Sequence, residues 1–78
     1  MIPKPITDEA LIEALAELEH DQWMHWSKVA APGVSEATRA GWQASWIPYA
    51  ELTDELKEAD RIWARKTVAL LRERRLIY

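Results

Sequence analysis

The segment DEALIEALAELEHDQWMHWSKVA, residues 8–30, decides the fold of this 78-residue chain. Thr7 precedes it as a candidate N-cap, and an Asp-Glu pair follows in the first turn, where acidic side chains are favoured. Pro32 and Gly33 come after it and predict its end. At about 100° per residue, its large apolar side chains fall on one arc, which predicts an amphipathic helix. The arc contains Leu11, Ile12, Leu15, Ala16, Leu18, Trp23, Trp26 and Val29.

Two further cap residues predict two further helices. Ser35 precedes EATRAGWQASW, residues 36–46, and Pro48 interrupts the chain soon afterwards. Thr53 precedes DELKEADRIWARKTVALLRERR, residues 54–75, which predicts a second long helix. Its apolar stripe contains Leu56, Trp63, Thr67, Leu70 and Leu71. We therefore expect one all-α domain over residues 1–78, with two long antiparallel helices plus a short middle helix.

Composition excludes several classes of protein. The chain has no cysteine, which excludes disulfides and thiolate metal sites. It has no apolar run near the ~18 residues of a membrane span, and no hydrophobic signal core at its start. We therefore expect a soluble, cytoplasmic protein without a membrane segment.

Charge is unevenly distributed along the chain. Residues 1–60 hold 4 Lys/Arg and 12 Asp/Glu, a net of −8, and residues 61–78 hold 6 and 1, a net of +5. Complementation of helix dipoles and an interaction surface both account for this asymmetry. The net negative charge of the chain argues against DNA binding, because DNA binding depends on neutralising phosphates with basic side chains.

Polar side chains interrupt the apolar stripes of both long helices. Glu19 points into the first arc, with His20 at its rim, and Asp60 lies in the middle of the second stripe. Lys57 lies at one edge of that stripe, with Arg61 just beyond it. Burying an ionised carboxylate without a partner is costly. Two interpretations follow: a polar network that fixes the register of the helices, or a cleft lined by these groups and by tryptophan rings.

Two motifs resemble the ryanodine-receptor (RyR) repeat. LEHDQW, residues 18–23, is similar to the opening motif of that family, and PYAELTDELKEADR, residues 48–61, is similar to its second motif. Gly41-Trp42 resembles the family's Gly-Trp pair, a role that Trp46 also fits. The resemblance implies a mostly helical module, often paired about a pseudo-twofold axis. It further implies adenine-type nucleotides bound between aromatic residues, here in a divergent, minimal bacterial or phage member.

Catalysis finds little support in the sequence. There is no Ser-His-Asp arrangement, no Gly-rich phosphate loop and no HExxH helix. His20 and His25 are five residues apart on a helix and point in different directions, so they form a poor metal pair. We expect a non-catalytic protein without a metal or other cofactor.

A ligand-binding function accounts for these residues better than catalysis does. Aromatic rings stack on bases, Arg39, Arg61 and Arg65 suit phosphate, and a carboxylate accepts hydrogen bonds from a base amino group. We expect a cleft for a nucleotide or nucleotide-derived signal, with Trp42 or Trp46 as its stacking lid. The expected ligand-binding residues are Glu19, His20, Trp23, Trp42, Trp46, Tyr49, Lys57, Asp60 and Arg61.

The alternative is a protein-interaction or dimerisation module with no small-molecule ligand. Five tryptophans are more aromatic surface than so small a core is expected to bury. A single repeat pairs only with a copy of itself, so we expect a homodimer. In a phage, a nucleotide-binding protein of this kind would act as a sponge for a host defence signal.

Overall fold

A computed structural model describes residues 7–77. Its α-helices are α1 (Asp8–Ala30), α2 (Glu36–Gln43) and α3 (Asp54–Glu73), with 3-10 turns at Ala31–Gly33 and Tyr49–Glu51. These residues contain no strand. The predicted all-α fold of two long helices plus a short middle helix is confirmed, and the predicted domain limits, 1 and 78, lie outside the described residues.

The three predicted caps are present. The hydroxyl oxygens of Thr7, Ser35 and Thr53 each accept a hydrogen bond from the backbone N–H three residues later, at 3.1, 3.1 and 3.3 Å. These bonds satisfy backbone donors that have no partner within the helix. Each helix therefore begins where its cap residue predicts.

The predicted ends of α2 and α3 are wrong by a few residues. α2 ends at Gln43 instead of residue 46, because the N–H groups of Ser45 and Trp46 turn to the carbonyls of Trp42 and Gln43. Pro48 also disfavours helical geometry at the residue before it. α3 ends at Glu73, two residues earlier than predicted.

The C-terminus of α3 closes in a Schellman motif. Arg75 has φ 59°, the left-handed conformation, and its N–H bonds the carbonyl of Arg72 at 2.9 Å. The N–H of Leu76 bonds the carbonyl of Leu71 at 2.8 Å. This pair of bonds ends many helices, usually with Gly in the left-handed position.

The long helices pack antiparallel along a line of small residues. Ala16 of α1 and Ala64 of α3 both have no exposed surface. Asp8 pairs with Arg72 near one end of the helix pair, and His20 faces Asp60 further along. Small side chains let two helices approach closely, but they leave little apolar volume between them. Tyr49 and Leu52 complete the core cluster around these alanines, with Ile12, Leu15 and Ile47 packed against it.

Only part of the predicted apolar arc of α1 faces the core: Ala16 is buried there, and Ile12 and Leu15 pack against it. Leu18, Trp26 and Val29 are 62%, 57% and 71% exposed. The buried residues of α1 are Ala16, at the edge of that arc, and His20 and Ser27, which lie just beyond it. The reason is that residues 44–53 dock on this polar face and bring hydrogen-bond partners for His20 and Ser27.

The apolar stripe of α3 is displaced in the same way. Leu56, Trp63 and Leu70 are 44%, 57% and 51% exposed, whereas Ala64 and Val68 are buried. The close contact at Ala64 turns the larger side chains of the predicted stripe outward. Across residues 7–77, no helix combines the length and apolar character that crossing a membrane requires.

Candidate ligand cleft between the two long helices

A cleft of about 320 Å³ lies between α1 and α3. Its volume is at the lower end of the ~300–1,000 Å³ that is typical of small-molecule sites. The connecting segment between α2 and α3, residues 44–53, contributes Ser45 and Leu52 to its lining. The principal side chains from the helices are Glu19, His20, Trp23, Leu56, Asp60 and Trp63. The cleft therefore combines two indole rings with two carboxyl groups and one imidazole.

The sequence and the structure agree on part of this lining. Glu19, His20, Trp23 and Asp60, all expected in the site, come together here. The other five expected residues, Trp42, Trp46, Tyr49, Lys57 and Arg61, lie outside the lining. Trp63 lines the cleft although its spacing indicated a core position. Its place three residues after Asp60, on the same face of α3, was the available signal.

His20 forms the buried floor of the cleft. Its Nε2 lies 2.7 Å from the carbonyl oxygen of Ile47, and because a carbonyl only accepts, Nε2 carries a hydrogen and donates it. Nδ1 consequently faces the Asp60 carboxylate at 3.8 Å. The ring stacks on Trp23, with centroids 5.8 Å apart and planes 21° apart. Two fixed contacts and one stacked ring hold the imidazole in place.

The carboxyl group of Asp60 sits in an unfavourable environment. Burial raises the pKa of Asp60, the charge of His20 lowers it, and the charge of Glu19 raises it. The direction of the pKa shift is upward, so burial outweighs the attraction of His20. Carboxyl groups held in this way in a cleft are typical of functional sites, and also occur in structural networks.

A second, shallower groove adjoins the cleft. It has a volume of about 200 Å³ and shares Glu19 and Trp23 with the cleft, adding Gln22 and Trp26. The Trp42 ring packs nearly perpendicular to that of Trp23, with centroids 6.4 Å apart, and its centroid is 5.6 Å from that of Trp26. Trp42 thus supports the neighbouring rings, and the lid position that the sequence suggested is not observed.

Trp46 anchors the connecting segment on α1. Its indole N–H donates to the hydroxyl oxygen of Ser27 at 2.9 Å, and that hydroxyl donates to the carbonyl of Met24 at 3.2 Å. Ser27 has no exposed surface, and the Lys28 ammonium lies 5.7 Å from the centre of the Trp46 ring. Trp46 is committed to this contact and does not cover the cleft.

Tyr49, Lys57 and Arg61 belong to a separate polar network centred on Glu13. The Tyr49 hydroxyl donates to the Glu13 carboxylate at 2.9 Å, and the Arg61 guanidinium binds the same carboxylate. The Lys57 ammonium lies 5.6 Å from the centre of the Tyr49 ring. The hydrogen bond from Arg61 is the main cause that lowers the pKa of Glu13, and burial is the main cause that raises the pKa of Tyr49 to about 12. Glu13 was not predicted as part of a polar network, because no neighbouring residue in the chain marks it as one.

The three arginines that suited phosphate are engaged elsewhere. Arg39 donates to the carbonyls of Ala31 and Val34 at 3.0 and 3.2 Å. Arg65 binds the Glu58 carboxylate through two nitrogens, and Arg61 binds Glu13. Among the described residues that line the cleft, there is no Lys or Arg. The cleft therefore presents acidic and aromatic groups to a ligand.

Comparisons with family models, with curated proteins and with solved structures give no match to this chain. The resemblance to the RyR repeat stays a prediction.

Proposed function

We propose that the chain is a non-catalytic binding module that takes the planar ring of a nucleotide-type ligand into the cleft between α1 and α3. One observation carries the proposal: Trp23 and Trp63 line the same 320 Å³ space as Glu19 and Asp60. Stacking on an aromatic side chain contributes ~1–3 kcal/mol per base. The carboxylates supply hydrogen-bond acceptors for the edge of the ring.

The state of His20 supports binding rather than catalysis. A general base needs a nitrogen within hydrogen-bond reach of the proton that it removes. In His20, Nε2 is committed to the carbonyl of Ile47, and Nδ1 faces Asp60. The imidazole therefore has no ring nitrogen directed at a ligand. A bound ligand is expected to be released chemically unchanged.

The proposal is tested by ligand titration with a matched pair of variants. Thermal shift with nucleosides and with mono-, di- and cyclic nucleotides identifies ligands, because a ligand above its Kd stabilises the folded state. Calorimetry then compares Trp63→Ala with Ile62→Ala. Both residues are exposed apolar residues of α3, 57% and 45%, but only Trp63 lines the cleft. We expect a roughly 5- to 150-fold loss for Trp63→Ala and parental affinity for Ile62→Ala.

Three outcomes contradict the proposal. The first is that no nucleoside or nucleotide stabilises the parent protein. The second is equal binding by the parent and Trp63→Ala. The third is recovery of the ligand in a chemically altered form, which contradicts the non-catalytic part alone.

A second candidate function is self-association, which a separate observation favours. Among residues 7–77, eight large apolar side chains are more than two-fifths exposed, and monomeric proteins rarely expose large contiguous apolar patches. We propose that a second copy of the chain covers part of this surface in a homodimer, since a twofold axis presents the same patch from both chains. The eight residues are Leu18, Trp26, Val29, Leu56, Ile62, Trp63, Leu70 and Leu76.

Sedimentation equilibrium tests this second proposal. At micromolar concentration the expected mass is twice the 9.0 kDa of one chain. Leu18→Glu and Val29→Glu, which place charges on the exposed side of α1, are expected to shift the protein toward the monomer. A 9.0 kDa species for the parent protein at these concentrations contradicts self-association.

A further inference from the structure

The two carboxylates that line the cleft accept hydrogen bonds and do not donate them. Ionised carboxylates are acceptors only, and Glu19 and Asp60 are both carboxylates. The one N–H of His20 that the structure fixes is used by Ile47. A ligand edge that matches these groups must therefore provide donors.

Glu19 is the carboxylate that is available for this contact. Asp60 faces the imidazole of His20, whereas no side chain among residues 7–77 forms a hydrogen bond or ion pair with Glu19. Glu19 also borders both the cleft and the adjoining groove. Its two oxygens have the geometry to accept two parallel N–H bonds from one planar group.

Resting on the proposed function, we propose that the cleft selects a planar ring with two adjacent N–H donors on one edge, bound by Glu19 and stacked against Trp23 and Trp63. Among nucleobases, guanine presents such an edge through its ring N–H and its 2-amino group. Adenine presents an amino group beside a ring nitrogen acceptor, and that acceptor would face the negative carboxylate. The guanidinium group of arginine shares the donor geometry.

Phosphate groups lie outside the cleft in this arrangement. The lining has two carboxyl groups and, among the described residues, no Lys or Arg. Arg39, Arg61 and Arg65 are held by backbone carbonyls and by carboxylates. Phosphorylation of the ligand is therefore expected to leave its affinity unchanged or to weaken it.

Calorimetric titration with four compounds tests the inference. Guanosine is expected to bind at least about tenfold more tightly than inosine, which lacks the 2-amino group, because a hydrogen bond to a charged group is lost. Adenosine is expected to bind less tightly than guanosine, and guanosine monophosphate no more tightly. Methylguanidine has the donor geometry of the arginine guanidinium without a nucleobase ring, so it distinguishes the two sources of a donor edge. It is expected to bind more weakly than guanosine, since it offers a smaller surface for stacking.

Two variants complete the test. Glu19→Gln is expected to reduce the affinity for guanosine by about tenfold or more and to abolish the preference over inosine. Glu17→Gln, an exposed position two residues earlier on α1, is the matched control and is expected to bind normally. Parallel melting curves show that both variants are folded.

The inference and the proposed function fail in different ways. Equal binding of adenosine and guanosine, tighter binding of the monophosphate, or normal binding by Glu19→Gln overturns the donor-edge inference and leaves a ring-binding cleft. Tighter binding of methylguanidine than of guanosine overturns the assignment to guanine. No binding by any nucleoside overturns the proposed function itself.

Discussion

The imidazole of His20 and the carboxylate of Asp60 face each other between the two long helices, with Nδ1 3.8 Å from Oδ2. The carbonyl of Ile47 fixes the opposite side of the ring at 2.7 Å. This relationship places a partly buried acid at the floor of a cleft that two tryptophans border. Residues that hold the fold are thereby distinct from the residues that we propose contact a ligand.

Asp60→Asn is expected to gain stability relative to the parent as pH rises. Burial raises the pKa of Asp60 in the folded state. Its stabilising contribution is therefore fully present below the unfolded pKa, near 3.8, and is lost as pH rises through the folded pKa. Asparagine does not titrate and avoids this loss. Denaturant unfolding of both proteins at pH 4 and pH 7 measures the difference, and a difference that is independent of pH contradicts the prediction.

Tyr49→Phe is expected to lower the free energy of unfolding by about 0.5–1.5 kcal/mol, because it removes the 2.9 Å hydrogen bond to Glu13. The pKa of Tyr49 is raised to about 12, so its contribution is present below pH 10 and is lost as pH rises through about 12. The phenylalanine variant lacks this alkaline loss. Denaturant titrations at pH 7 and at alkaline pH check both parts. Because Tyr49 does not line the cleft, a change in ligand affinity would argue against the separation of the two networks.

Trp46→Phe is expected to destabilise the fold and to leave ligand binding unchanged. The substitution removes the indole N–H that donates to the fully buried Ser27 hydroxyl, a loss of about 1 kcal/mol. A double-mutant cycle with Ser27→Ala measures the coupling directly. Additive effects of the two substitutions would show that the contact does not hold the connecting segment.

The starts of the helices were predictable from sequence, whereas their buried faces were predictable only in part. Local hydrogen bonds determine a cap, so Thr7 and Thr53 could be identified from their neighbours alone. The buried face of α1 depends on partners distant in the chain: Ile47 reaches His20 across 27 residues. An apolar stripe in the sequence shows which side chains share a helix face. It does not show which of them stay exposed to solvent when two helices pack closely. Trp63 was missed as a cleft residue for that reason.

Arg75→Gly is expected to raise the free energy of unfolding by about 1 kcal/mol. Arg75 has φ 59°, a conformation that is unfavourable for residues with a Cβ and accessible to glycine. Arg74→Gly is the matched control, because Arg74 has φ −86° and gains nothing from glycine. Thermal melts of the two variants decide the matter, and equal shifts for both would contradict the assignment of strain to Arg75.

The most direct test of the cleft uses the indole N–H resonances of the five tryptophans. In a nitrogen-15-labelled sample titrated with guanosine, the signals of Trp23 and Trp63 are expected to shift with a common Kd, because both rings line the cleft. The signal of Trp46, which is bonded to Ser27, is expected to stay in place. Unchanged signals of Trp23 and Trp63 across nucleoside and nucleotide titrations, or a largest shift at Trp46, would contradict a ligand site between α1 and α3.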